Sequence, residues 1–302
     1  MLNANFMKIT KAVITAAGRG TRFLPVVLDY AKEMVPILNK PQIQYLIEEA
    51  IGAGITDICI VHRYGEESIK KYFTPSPDWE EYLNKIGKIE YLDSLKNINN
   101  KLNSLTFIAQ PLDLPYGTGS PVLTAKSFIG NDPFVLMYGD DLIVEKNPGQ
   151  YLTKMIESFE KYLPAVVVCV KDVGRDEISR YGSAKFISDD KYPNRISAML
   201  EKLEADKAPS TFAQGGRFVI DGSKIWPILT KQGLSRDNEL WFADTVNTLA
   251  KDDVVLTEAV GNQADWMTTG DPLRWLMANN IIALNDPKYS EEFKKYLDNL
   301  RK

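Results

Sequence analysis

The sequence predicts an α/β fold built on a parallel sheet, and three features carry that prediction. Short, almost wholly apolar runs, at 12–17, 58–61 and 134–138, are separated by stretches of helical spacing. Strands apolar on both faces belong to a sheet covered by helices on both sides. The first run passes directly into a glycine-bearing loop, Gly18-Arg19-Gly20-Thr21-Arg22-Phe23-Leu24-Pro25, and the run Phe134-Val135-Leu136-Met137-Tyr138 passes directly into Gly139-Asp140-Asp141. Ligands of open α/β sheets lie beyond the carboxyl ends of the strands, so both loops fall on one functional edge.

In chain order, the first strand (12–17) is followed by a helix over 43–53, closed by Gly54 as a C-cap, and by a second strand at 57–61. Residues 64–104 are rich in Tyr, Lys, Asp and Asn and read as a polar, partly helical insertion. Strands follow at 105–109 and 134–138, then a helix at 151–162 and strands at 165–170, 183–187 and 216–220. The tail carries amphipathic helical spacing at 273–284 and 291–300. No repeat and no linker cuts the chain, so residues 1–302 are expected to form a single domain.

Composition narrows the function. With 44% hydrophobic and 25% charged residues among 302, the chain can bury a sizeable core. A net charge of −4 supplies no broad positive field for nucleic acid. No run approaches the roughly 20 apolar residues that span a bilayer, and none forms a signal-peptide core, so no membrane partner and a cytoplasmic location are expected. Two cysteines, Cys59 and Cys169, lie in apolar strand-like runs and read as small buried thiols. The single histidine, His62, ends a strand and reads as structural, which leaves the chemistry to carboxylates, cations and glycines.

The loop after the first strand lacks the Lys-Ser/Thr ending of a Walker loop, and Phe23 stands where a dinucleotide fingerprint has its third glycine. What remains is a flexible loop whose backbone N–H groups can wrap a polyphosphate, with Arg22 and, ten residues on, Lys32 as cations. Alone, such a loop is equally well a plain turn.

The larger pattern is more specific. The block Gly18 to Pro25, followed by Lys32-Glu33-Met34-Val35-Pro36-Ile37 and Lys40-Pro41-Gln42-Ile43-Gln44-Tyr45, closely resembles the sugar-nucleotidyltransferases, and within them the bacterial-type UTP:glucose-1-phosphate uridylyltransferases. The likeness continues through Tyr138-Gly139-Asp140-Asp141, Arg180-Tyr181-Gly182, Leu200-Glu201-Lys202 and the block from Glu239 to Asp244, covering residues 8–285. It implies the nucleotidyltransferase fold, a Rossmann-like, mixed but mainly parallel sheet with helices on both faces and C-terminal helices at about 272–302.

The resemblance also implies roles. The backbone of Ala16, Ala17 and Gly18 would lie near base and ribose, with Gly20, Thr21 and Arg22 around the phosphates. Gln110 would read the base edge, ahead of Gly117 and Gly119, although the spacer from Pro111 to Tyr116 is longer than usual and Ser120-Pro121 replaces His-Ala. Arg22 and Lys32 would be catalytic, neutralising the pyrophosphate leaving group. Asp140 would hold Mg²⁺, and Gly182, Glu201 and Lys202 would hold the hexose 1-phosphate.

Two departures stand out. Leu203 follows Lys202 where proline is usual, and Thr268 stands where related enzymes carry a second metal-binding aspartate, leaving Asp140 alone unless Asp265 or Asp271 swings in. The implied partners are UTP and glucose 1-phosphate, and the implied assembly is a homodimer or homotetramer. The same chemistry with dTTP or galactose 1-phosphate, or a catalytically silent nucleotide-binding relative, is the alternative.

Overall fold

The computed structural model describes residues 8–300; the first seven residues and the last two of the tail, both within the expected 1–302 domain, lie outside the described residues. In chain order the strands are β1 (Lys11–Ala16), β2 (Pro36–Ile37), β3 (Lys40–Pro41), β4 (Asp57–His62), β5 (Ser104–Ala109), β6 (Pro133–Tyr138) and β7 (Asp141–Glu145). They continue with β8 (Val166–Asp172), β9 (Gly182–Phe186), β10 (Ile196–Glu201), β11 (Phe212–Asp221), β12 (Val255–Ala259) and β13 (Ala264–Thr268). The helices are α1 (Gln42–Gly52), α2 (Ser68–Phe73), α3 (Pro77–Lys85), α4 (Glu90–Lys101), α5 (Gly119–Thr124) and α6 (Lys126–Ile129). After them come α7 (Gln150–Tyr162), α8 (Gly222–Leu229), α9 (Phe242–Asp252), α10 (Pro272–Asn285) and α11 (Ser290–Leu300).

Nine strands form one sheet, ordered β10-β9-β11-β6-β1-β4-β5, with β8 joined to β11 and β12 to β8. The pairings are parallel for β6-β1-β4-β5 and β8-β12 and antiparallel along β11, so seven strands run one way and only β10 and β11 oppose them. The sheet is therefore mixed and mainly parallel, as expected.

Successive residues of a strand face opposite sides, and the apolar runs use both. Ala12, Ile14 and Ala16 of β1 join Ile58 and Ile60 of β4 in a core beneath α1 and α7. Val13, Cys59 and Val61 face the other way, into a core closed by Val122 of α5, Trp226 of α8 and Phe242 of α9. The strand ends lie within a few residues of the positions read from sequence, apart from β11, which extends to ten residues. Gly54 takes a left-handed φ of 86° one residue beyond the cap itself, Ala53.

Six strands had no counterpart in the sequence reading: the two-residue pair of β2 and β3, and four longer ones. β7 and β13 form a separate antiparallel pair, with Asp141 opposite Thr268. β10 and β12 sit toward the outer parts of the main sheet. None of the four longer strands is a continuous apolar run, β7 containing Asp and Glu and β13 containing Asp, so the signal that marked the central strands is missing. The stretch 64–104 is largely three helices, α2 to α4, and His62 is buried with Nδ1 3.0 Å from the Arg63 carbonyl. Both cysteines are buried and unpaired.

Candidate active site

A cavity of about 460 Å³ opens where β1, β5 and β6 end. Ala17, Gly18, Arg22, Lys32, Gln110 and Asp140 reach it from that edge. The β9–β10 pair arrives at the same edge because Ser183 pairs with Ala213 while Gly182 pairs with Glu201, which brings Glu201 and Lys202 to the wall. Gly117 also lines it.

Asp140 sits in the turn between β6 and β7. Gly139 begins that turn by donating its N–H to the Thr15 carbonyl at 3.0 Å. A Cβ at residue 139 would lie 2.4 Å from that carbonyl oxygen and 2.8 Å from Glu33 Cγ, so only glycine lets the turn close against β1. The Asp140 carboxylate then meets Lys32, with Nζ 2.6 Å from Oδ2.

Burial works against both charges of that pair. The Asp140 and Glu33 carboxylates nevertheless hold the Lys32 ammonium above the usual lysine range. Lys32, and more weakly Arg22, likewise hold Asp140 below the usual carboxylate range. Glu33, only 1% exposed, lies 3.7 Å from Lys32 Nζ through Oε1, while its Oε2 makes no hydrogen bond. Burial pushes Glu33 up to about 7 despite Lys32.

The donor set can be tested for a divalent cation. A Cβ placed on Gly270 would lie 3.1 Å from Asp140 Oδ2, 3.6 Å from Arg22 Nη1 and 3.7 Å from Thr268 Oγ1, so three polar groups converge closely beside that glycine. Asp141 does not add a ligand: it is buried, accepts the Trp266 indole N–H at 2.9 Å, and is pushed up to about 6 by burial and by the neighbouring Asp140 charge. Asp271 caps α10 by accepting the Arg274 N–H at 3.0 Å, and Asp265 is exposed on β13. Among the described residues no three His, Cys, Asp or Glu side chains cluster as a metal site. One carboxylate beside a cavity that Arg22 and Lys32 also line fits Mg²⁺, which keeps waters and takes substrate oxygens as ligands; it does not fit a metal held by protein alone.

On the opposite wall Lys202 adopts a left-handed backbone, φ 48°, with its N–H donated to the Tyr181 carbonyl at 3.0 Å. A lysine in that region is strained, and such strain concentrates at functional sites. Gly182 packs under Glu201, where an added Cβ would come within 2.9 Å of Oε1.

Other residues expected at the site are not on the cavity wall. Ala16 is buried in β1, Gly20 and Thr21 shape the turn that carries Arg22, and Gly182 lies behind Glu201. Gly119 is buried at the start of α5 with its N–H given to the Leu240 carbonyl at 2.8 Å, so that donor serves the fold. Conversely, Tyr116, Glu239 and Trp241 line the cavity without having been assigned a role. The Trp241 indole donates to Glu239 Oε2 at 2.9 Å. The signal was a carboxylate and a tryptophan placed just before an amphipathic helix.

A mixed, mainly parallel sheet with a glycine-bearing loop, Arg22, Lys32 and Asp140 gathered at one edge defines a class. The chain belongs to the nucleotidyl transferase family, whose model matches residues 11–284. It is 37% identical, over an alignment of 305 residues covering 98% of this chain and 97% of the relative, to UTP–glucose-1-phosphate uridylyltransferase 2 of Streptococcus pyogenes serotype M3. Among solved structures it resembles the UTP-bound UGPase from Acinetobacter baumannii, with a TM-score of 0.84 and 30% identity over 96% of this chain and 98% of that one. It also resembles a UDP-glucose pyrophosphorylase complexed with UDP-glucose, with a TM-score of 0.80 and 29% identity over 92% of this chain and 100% of that one.

Proposed function

We propose that this chain transfers the uridylyl group of UTP to glucose 1-phosphate, giving UDP-glucose and pyrophosphate. The carrying observation is the convergence of Arg22, Lys32, Asp140, Glu201 and Lys202 on one cavity whose lining contains no histidine. The phosphate of glucose 1-phosphate is already anionic near neutral pH, so its oxygen attacks the α-phosphorus of UTP in line without a general base. Catalysis then rests on positioning and charge stabilisation. Lys32 and Arg22 bind the triphosphate and stabilise the charge that passes to pyrophosphate. Lys202 holds the sugar phosphate as a point charge and Glu201 accepts sugar hydroxyls. Gln110 offers both a donor and an acceptor to the uracil edge.

Asp140 would hold Mg²⁺, with Thr268 beside it. When bound, Mg²⁺ supplies charge neutralisation across phosphate oxygens. Substrate binding must separate Lys32 from Asp140, freeing the ammonium for phosphate.

The test is pyrophosphate release from the purified protein with Mg²⁺, UTP and glucose 1-phosphate, each omitted in turn and replaced by other nucleotides and sugar phosphates. Release that needs all three and is fastest with this pair supports the reading. Release with another pair moves the specificity, and nucleotide binding without release overturns the enzyme. The same reading carries a homodimer or homotetramer, supported by exposed Leu273, Leu276, Met277 and Tyr296 on α10 and α11 and checked by light scattering. It also carries a cytoplasmic location, with which two buried, unpaired cysteines accord.

A further inference from the structure

Three consecutive carbonyls, those of Gly139, Asp140 and Asp141, are each captured by a residue from a different part of the chain. Gln42, 3% exposed at the start of α1, donates Nε2 to the Gly139 carbonyl at 2.5 Å. Thr269, 2% exposed just after β13, donates both its N–H (2.7 Å) and its hydroxyl (2.9 Å) to the Asp140 carbonyl. Arg217 of β11, wholly buried, donates Nη2 to the Asp141 carbonyl at 2.9 Å. The same guanidinium grips Glu49 of α1 as a fork, Nε to Oε1 at 2.8 Å and Nη2 to Oε2 at 2.7 Å.

Gln42 and Glu49 are seven residues apart and share one face of α1, so the helix reaches the turn at two points, directly through Gln42 and through Arg217. Satisfying buried carbonyls is an ordinary requirement. Doing it with a buried guanidinium–carboxylate pair is not the economical solution, because desolvating both ions costs more than packing apolar residues of the same size. That expense falls on the one turn that carries Asp140. Resting on the uridylyltransferase reading, we infer that Gln42, Thr269 and Arg217 are positioning residues: they fix the backbone on both sides of Asp140 so that its carboxylate faces the triphosphate in the geometry a divalent cation demands.

The test compares the wild-type enzyme with Gln42→Met, Thr269→Val and Arg217→Lys. Each keeps size or charge while removing or misplacing one donor. Four readouts are taken: melting temperature, kcat, KM for glucose 1-phosphate, and the affinity for UTP by calorimetry with and without Mg²⁺. The last does not depend on turnover. Positioning predicts kcat reduced tenfold or more in at least Thr269→Val and Gln42→Met, with KM for glucose 1-phosphate within twofold. It predicts metal-free UTP affinity unchanged, and the affinity gained from Mg²⁺ reduced at least fivefold. Arg217→Lys carries the largest structural risk, so the other two variants decide the matter if it fails to fold.

Folded variants with wild-type kcat and an undiminished gain from Mg²⁺ overturn the inference. So do variants in which UTP affinity falls equally with and without metal, since that marks general loosening. If the wild type releases no pyrophosphate, the activity reading fails by itself, and the calorimetric comparison still decides the role of the three residues. A wild type whose UTP affinity gains nothing from Mg²⁺ overturns it as well.

Discussion

Lys32 Nζ lies 2.6 Å from Asp140 Oδ2, so in the substrate-free protein the principal cation and the principal anion of the site neutralise each other. On the proposed reading the pair is a resting arrangement, in which nucleotide phosphates would compete for the lysine and a divalent cation for the aspartate. Its cost in binding is small because each partner exchanges one opposite charge for another.

Removing either partner should therefore harm turnover far more than folding. Lys32→Ala and Asp140→Asn are each expected to lower kcat by about 10²–10³, the loss typical of one transition-state charge partner. Melting temperatures, measured beside kcat, should stay within a few degrees of the parent. An unfolded variant would instead assign the pair to the fold.

Glu33 sets a pH dependence of stability. Burial raises its folded-state value from the ordinary 4.5 to about 7, so between these values the folded protein binds more protons than the unfolded chain. Its contribution is then fully present below about pH 4.5 and is lost as pH rises toward 7 and beyond. Glu33→Gln, which keeps the shape and removes the charge, should be more stable than the parent at pH 8, by on the order of 1–3 kcal/mol, and so melt higher there, while melting close to it at pH 4.5. Thermal melts at the two pH values check this, and an equal difference at both would remove Glu33 as the cause.

The central architecture was legible because β1, β4 and β6 are buried on both faces and so appear as apolar runs. The site was legible where short motifs fix it: Arg22, Lys32, Gln110, Asp140, Glu201 and Lys202 all reach the cavity. What could not be read depends on pairing between distant segments. β7 and β13 meet only in three dimensions, which is what brings Thr268 near Asp140. Trp241 and Glu239 are adjacent to the site because Leu240 exchanges backbone hydrogen bonds with Tyr116 and Gly119, across more than a hundred residues of chain. Gly119 shows the converse: a motif glycine whose N–H is consumed by that same pairing.

Thr268 offers a gain-of-function test. Its hydroxyl converges with Asp140 and Arg22 beside Gly270. Thr268→Asp adds a second hard oxygen donor there, and Mg²⁺ accepts one or two protein carboxylates. The concentration of Mg²⁺ giving half-maximal pyrophosphate release should fall severalfold. A titration in which it is unchanged or rises would mean that the added charge is taken up by Arg22 instead.

Sugar selection should separate from nucleotide binding, because the residues proposed for it come from a different part of the sheet. Glu201 ends β10 above Gly182, whose missing side chain leaves room for the carboxylate, and Lys202 follows in a left-handed turn held by the Tyr181 carbonyl at 3.0 Å. Hydroxyl recognition by a carboxylate discriminates by leaving its oxygens unpaired when a hydroxyl points elsewhere. Glu201→Gln keeps the size but turns one acceptor into a donor, so KM for glucose 1-phosphate should rise about tenfold, the effect of losing one charged hydrogen bond, while KM for UTP changes less than twofold. The preference for glucose over galactose 1-phosphate should narrow in the same variant. If both KM values rise together, Glu201 is instead supporting the cavity as a whole, and the separation of the two substrate halves is wrong.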